Sequence, residues 1–116
     1  MQIIIVDRNT EALEQMKSAA AAVYPSAELV SFTDPMLAIK HAYSHPPDMA
    51  VAAYDIKRVN GIEFLELIRR IAPTAILIFV DGDDKRLERA REYISHCLSA
   101  PLTADELQTV KNTYLS

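Results

Sequence analysis

PDMAVAAYDIKRVNGIEFLELI, residues 47–68, sets a strand, a loop and a helix in one uninterrupted run. Met49 to Ala53 is short, apolar and free of charge, whereas Asn60-Gly61 opens a helical pattern with Phe64, Leu65, Ile68 and Ile71 on one face, which Pro73 breaks. A strand without polar alternation suits a sheet covered on both faces, as parallel sheets with crossover helices are. The same unit recurs on either side. Ile3 to Val6 is a β-branched run, and Asn9 caps a helix carrying Leu13, Met16, Ala20 and Val23 before Pro25. A second strand falls near Glu28 to Phe32, and Asp34-Pro35 starts a helix that Pro46-Pro47 ends.

Downstream, Ala75 to Val80 reads as the fourth strand and Gly82 as a turn. Asp83 or Asp84 caps a charged helix with Leu87, Ala90 and Ile94 inward. Cys97 to Ser99 is a short fifth strand, and Thr103 with Glu106 is a capping-box signature for a last helix with Leu107, Val110 and Tyr114 on its inner face. Five strand–helix pairs in alternation predict an α/β fold with a doubly wound parallel sheet. No repeat, low-complexity tract or linker interrupts residues 1–116, which read as one domain.

Composition bounds function without choosing one. Half of the residues are hydrophobic and 24% charged, as in ordinary globular domains. A net charge of −4 argues against a general nucleic-acid-binding surface. One cysteine, Cys97, excludes an internal disulfide and a multi-cysteine metal site, and it fits a reducing compartment. No apolar run reaches the roughly 18 residues of a membrane span, and the start lacks a signal-peptide pattern, so a cytoplasmic location is expected.

The quoted segment resembles the third strand, following loop and third helix of response-regulator receiver domains, whose pattern PDxxxxD is followed eight residues later by glycine. Pro47, Asp48 and Gly61 match, and Ala53 stands at the aspartate. QIIIVDRN resembles the opening strand with its acidic pair, of which Asp7 remains and Arg8 takes the second place. AILIFVDGDD resembles the fourth strand, with Val80 where Thr or Ser is usual, and HCLSAPL the fifth, with Ala100 in place of lysine. The resemblance covers Met1 to about Tyr114. It implies a flavodoxin-like (βα)5 domain with strand order 2-1-3-4-5, and a cis Ala100-Pro101 bond.

In the family, as the resemblance implies, the aspartate takes a phosphoryl group from a partner histidine, the acidic pair helps hold Mg²⁺, and the lysine and hydroxyl contact the phosphoryl oxygens. Here Asp7, Arg8, Ala53, Val80 and Ala100 occupy those positions. Alanine has no nucleophilic oxygen. A guanidinium in place of a carboxylate removes a Mg²⁺ ligand and adds repulsion. Neither Val80 nor Ala100 can stabilise phosphoryl charge. No catalytic residue, metal or cofactor is expected.

Around this crevice alternatives stay open. Asp7 is either a strand-end carboxylate paired with Arg8 or a loop amide, or a metal ligand. Arg8 is either a surface residue or a built-in cation at the metal position. Asp81 and Asp83 read as solvated turn or cap residues. Asp55 is the alternative phosphoacceptor, although that register needs two compensating shifts; otherwise its side chain satisfies nearby loop amides. Tyr54 is either a loop aromatic or a plug. His41 and His45 read as a solvated helix end, Cys97 as a buried structural thiol, and its neighbour His96 points to the opposite face.

The expected function is a non-enzymatic, phosphorylation-independent interaction module in bacterial-type signal transduction or transcription regulation. Its partner would be an effector domain, a histidine kinase or a regulator, with a second copy as another candidate and no direct nucleic-acid or membrane contact. A C-terminal effector domain beyond this chain is compatible with it. The contact surface is the face of the fourth helix, fifth strand and fifth helix, where Lys85, Arg86, Arg89 and Arg91 confront Asp105 and Glu106 and could pair across a two-fold axis. Those charges equally suit a solvated helix laced by Lys85–Glu88 and Glu88–Arg91 pairs. The rivals are a phosphoacceptor receiver using Asp55 and a small flavodoxin-like ligand-binding protein, the latter without a Gly-rich phosphate loop.

Overall fold

In the computed structural model, which describes residues 1–114, ten elements alternate. They are β1 (Gln2–Val6), α1 (Thr10–Val23), β2 (Glu28–Phe32), α2 (Pro35–Ser44), β3 (Met49–Ala53), α3 (Gly61–Ile71), β4 (Ile76–Asp81), α4 (Asp84–Ala90), β5 (His96–Ser99) and α5 (Ala104–Thr113). The five strands form one sheet in the order β2-β1-β3-β4-β5, and every neighbouring pair is parallel. This is the doubly wound α/β architecture expected from the sequence.

Side-chain alternation builds two cores from the same strands. Ile3, Ile5, Met49, Val51, Ile78 and Val80 pack under α1 and α5, against Leu13, Met16, Ala20, Leu107 and Val110. Ile4, Val6, Ala50, Ala52, Leu77 and Phe79 pack under α2, α3 and α4, against Ala38, Phe64, Ile68, Leu87 and Ala90. Both faces of β1 and β3 are thus buried, which explains their lack of polar alternation.

The caps follow the sequence closely. Asn9 accepts from the Ala12 amide at 3.0 Å, Asp34 from Met36 at 2.9 Å, and Asp83, rather than Asp84, from Lys85 at 2.8 Å. The reciprocal box expected at Thr103 is only half formed: the Thr103 hydroxyl accepts from the Glu106 amide, but the Glu106 carboxylate receives that hydroxyl instead of a backbone amide. The complete box is at α3, where Asn60 accepts from the Glu63 amide at 2.9 Å and Glu63 from the Asn60 amide at 3.1 Å.

Gly61 is fixed by a close approach. A β-carbon there would collide with the Ala53 carbonyl oxygen, and the Gly61 amide donates to the Tyr54 carbonyl at 3.0 Å. Two helix readings need correction. Helix α4 ends at Ala90, so Ile94 lies beyond it, yet at 1% exposure it still fills the core. Tyr114 is 51% exposed instead of lying on an inner face; it follows the end of α5, and its hydroxyl lies 2.6 Å from His96 Nε2. The α1 C-terminus has no basic residue of its own. Lys111 of α5 supplies one, donating to the Val23 carbonyl at 2.9 Å and sitting over the Tyr24 ring. The Ala100–Pro101 bond is cis, as the resemblance implied. No helix among the described residues is long and apolar enough to cross a membrane.

Candidate functional site

The carboxyl ends of the strands meet at one edge, where open parallel sheets bind their ligands. Strand alternation decides what faces the crevice. Asp7 continues the row of Ile3 and Ile5, Ala53 that of Met49 and Val51, and Val80 that of Ile78, so all three emerge on the α1/α5 side. Ala53 and Val80 are direct register partners. With Ala100 they border a cavity of about 250 Å³, walled by Ala12 and Met16 of α1 and by Pro101 and Leu102. Its polar side chains are Asp7 and Gln15 alone.

Asp7 is buried, at 8% exposure, and its Oδ1 accepts the Asn9 amide at 2.9 Å. Burial pushes its carboxyl up from the ordinary value; the Asn9 amide opposes this, and the Asp55 charge adds to it. Of the readings weighed for Asp7, the loop amide is the partner found. Arg8 turns away from the cavity and meets Asp55, with Nη1 to Oδ1 at 3.6 Å in an open, solvated pair. These two residues, with Asp7 and Asn9, edge a second cleft of about 300 Å³. Asp55 therefore faces a guanidinium, where the sequence suggested loop amides.

Mg²⁺, the ion of working receivers, fits this donor set poorly. It requires nearly octahedral oxygen coordination and dehydrates reluctantly. Asp7 already spends one oxygen on Asn9, Ala53 offers no carboxylate, and Asp55 is shared with Arg8. Among the described residues no group of three or more His, Cys, Asp or Glu could hold a metal.

Asp81 corrects the sequence reading. Strand β4 runs one residue further than expected, so Asp81 is in the strand, and alternation turns it with Phe79 toward α4. It is buried at 7% exposure rather than solvated. Arg86 grips it bidentately, Nε to Oδ2 at 2.5 Å and Nη2 to Oδ1 at 2.9 Å. Burial alone would push the Asp81 carboxyl up, but the Arg86 hydrogen bonds and charge outweigh it and hold the carboxyl below its ordinary value. The Arg86 guanidinium lies 4.3 Å above the Tyr54 ring, which meets Phe79 edge-on at 6.3 Å. Tyr54 is thus an α4-side aromatic and not a plug for the cavity. Nothing in the sequence flagged this stack, because its members come from β4, α4 and the loop after β3.

Arg86 consequently leaves the surface on which it was grouped with Lys85, Arg89 and Arg91. Arg91 pairs with Glu88 at 2.9 Å, and Glu106 is occupied at its cap. Lys85, Arg89 and Asp105 are exposed and have no ion pair among the described residues. The anticipated Lys85–Glu88 pair is not formed.

The histidines and Cys97 contribute packing. His41 and His45 stack at 4.9 Å with rings 17° apart, and His41 also touches Phe32 and is half-buried rather than solvated. Cys97 is half-buried instead of fully buried; its thiol donates to the Ile94 carbonyl at 3.4 Å, and burial pushes the thiol up while the Arg91 charge opposes this. Burial lowers the neighbouring His96, which turns to Tyr114.

No protein-family model matches the chain, and no curated protein sequence matches it. Solved structures do. A signal receiver domain of an HD domain-containing protein from Pseudomonas fluorescens Pf-5 superposes with a TM-score of 0.82 at 22% identity, over 97% of this chain and 84% of that one. A CheY-like response regulator receiver domain from Methylobacillus flagellatus gives 0.84 at 16% identity, over 97% of both chains. A two-component response regulator from Clostridium difficile gives 0.82 at 16%, over 99% of this chain and 95% of that one. The fold is that of response-regulator receiver domains.

Proposed function

We propose that this chain is a receiver-fold regulatory module that works through protein contacts without accepting a phosphoryl group, and that it is not an enzyme. The observation that carries the reading is Ala53, which closes β3 at the crevice with a methyl group and lines an apolar cavity beside Val80 and Ala100. Phosphoryl transfer needs an oxygen nucleophile and fixed positive charge around the transferred group. The cavity has no carboxylate at the end of β3 and no cation; its one carboxylate, Asp7, follows β1 and accepts the Asn9 amide. The relative in Pseudomonas fluorescens belongs to a protein with an HD domain. By that analogy the partner here is an effector domain, a histidine kinase or a regulator of cytoplasmic signalling or transcription, reached through the α4–β5–α5 face.

One observation favours a second reading. Asp55 is an exposed carboxylate on a cleft that also contains Asp7, so an incoming phosphodonor could reach it. Incubation with acetyl phosphate and Mg²⁺, followed by intact mass, separates the two. The proposal expects no phosphoryl adduct. An adduct lost in Asp55→Asn would establish the second reading and sink the first.

A further inference from the structure

We infer that the cavity at the carboxyl edge of the sheet is a binding site for a small organic cation, a primary amine on a compact apolar body, with Asp7 as its counter-ion. The walls are apolar: Ala53, Val80 and Ala100 on one side, Met16 and Leu102 on the other. Such a surface gains by exchanging water for hydrocarbon. The cavity contains no cation, because Arg8 edges the neighbouring cleft with Asp55 and alanine occupies position 100. It holds one charged group, the buried Asp7 carboxylate, whose partners are backbone amides, Asn9 at 2.9 Å to Oδ1 and Arg8, while no side-chain cation pairs with the group among the described residues.

A carboxylate on an otherwise apolar wall selects among ligands by sign. An organic acid would bring a like charge beside Asp7, and a neutral hydrocarbon would strip water from the carboxylate without replacing it. An ammonium supplies a charge-assisted hydrogen bond in place of that water, while its apolar body covers the alanine and valine methyls. Size limits the body. An apolar cavity of roughly 150 Å³ accepts benzene, so about 250 Å³ takes one ring with a short arm. Phenethylamine has those proportions. The Gln15 amide at the rim adds an acceptor for a second ammonium proton. This site is independent of whether Asp55 accepts a phosphoryl group, since Asp55 lies outside the cavity.

The test is a titration of the ¹⁵N-labelled chain with phenethylamine, 2-phenylethanol and phenylacetate, followed by amide chemical shifts. Saturable shifts centred on Ala53, Val80 and Ala100 are expected with the amine, weaker binding with the alcohol, and none with the acid. Asp7→Asn, which keeps an acceptor for Asn9, should weaken amine binding about tenfold, the effect of losing one charge-assisted contact, and leave the alcohol unchanged. Ala100→Leu, at an exposed rim position, should weaken both by filling the mouth. Equal binding of amine and acid, shifts centred on Arg8 and Asp55, or no saturation would overturn the inference. Should Asp7→Asn lose the dispersed spectrum of a folded chain, the three-ligand comparison on the unaltered chain and the Ala100→Leu titration still decide it.

Discussion

Two aspartates with opposite surroundings make the residue scale testable. Asp81 has its carboxyl held below the ordinary 3.8 by Arg86, so the stability it contributes is complete above that value and is lost as pH falls through the lower native one. Asp7 has its carboxyl raised by burial, so folding favours the protonated form and stability declines as pH rises from 3.8 through the native value. Asp81→Asn should therefore lower the melting temperature at neutral pH and flatten its acid limb, whereas Asp7→Asn should raise it at neutral pH. Melting curves from pH 2 to 8 check both signs; a shift in the same direction for both variants would contradict the assignment. Ala53→Asp brings a second carboxylate to an apolar cavity beside Asp7. It should cost about 1–3 kcal/mol and fail to create a stable phosphoryl adduct by intact mass, because Val80 and Ala100 still provide no charge or hydroxyl for the phosphoryl oxygens.

Among the elements, α3 starts with a complete capping box and a close backbone approach, and its N-cap Asn60 and first residue Gly61 carry different risks. Asn60→Ala removes one half of a complete capping box and should cost about 1 kcal/mol. Gly61→Ala presses a methyl group against the Ala53 carbonyl, so β3 and α3 must separate; a loss of about 2–4 kcal/mol is expected, at the large end for single substitutions. Urea unfolding measures both as shifts in midpoint at constant slope. An equal loss for the two variants would mean that the contact at Gly61 relaxes freely. Helix α4 contrasts with α3. It has seven residues, and Arg86 ties it to β4 and Tyr54, so its position depends on one half-buried ion pair more than on its length.

For the whole molecule, the proposed α4–β5–α5 contact face draws on helices that carry exposed charges of both signs. Lys85 and Arg89 project from α4 and Asp105 from α5, without ion pairs among the described residues, while Arg86, Arg91 and Glu106 are engaged within the chain. Association through this face, with a second copy or a partner, should respond to Arg89→Glu most strongly at low salt, since exposed charges are screened over about 10 Å at 0.1 M. It should also be the same with and without phosphodonor. Sedimentation and partner pull-down across a salt series measure this. Indifference to Arg89→Glu at every salt concentration would return these charges to the role of a solvated surface.

The alternation of apolar runs with capped amphipathic helices was enough to establish five strand–helix units, the bounds of β2 and β3, and the caps at Asn9 and Asp34, and to narrow the α4 cap to Asp83 or Asp84. These features depend on periodicity and local hydrogen bonding, which a sequence displays directly. That Asp7, Ala53, Val80 and Ala100 lie at the crevice edge followed from the resemblance to receiver domains, in which the spacing from Pro47 to Gly61 locates Ala53. The partners of those residues could not be read in this way. Extending β4 by one residue moved Asp81 from an expected turn into the strand, and strand alternation then sent it to α4 and not to the crevice. Arg86 left a surface patch for a half-buried pair with Asp81, and Arg8 chose Asp55 over Asp7. Each outcome turns on which face of the sheet a side chain leaves from and on what a distant segment brings to meet it; such contacts join residues through space that no local pattern encodes, and only the tertiary structure decided them.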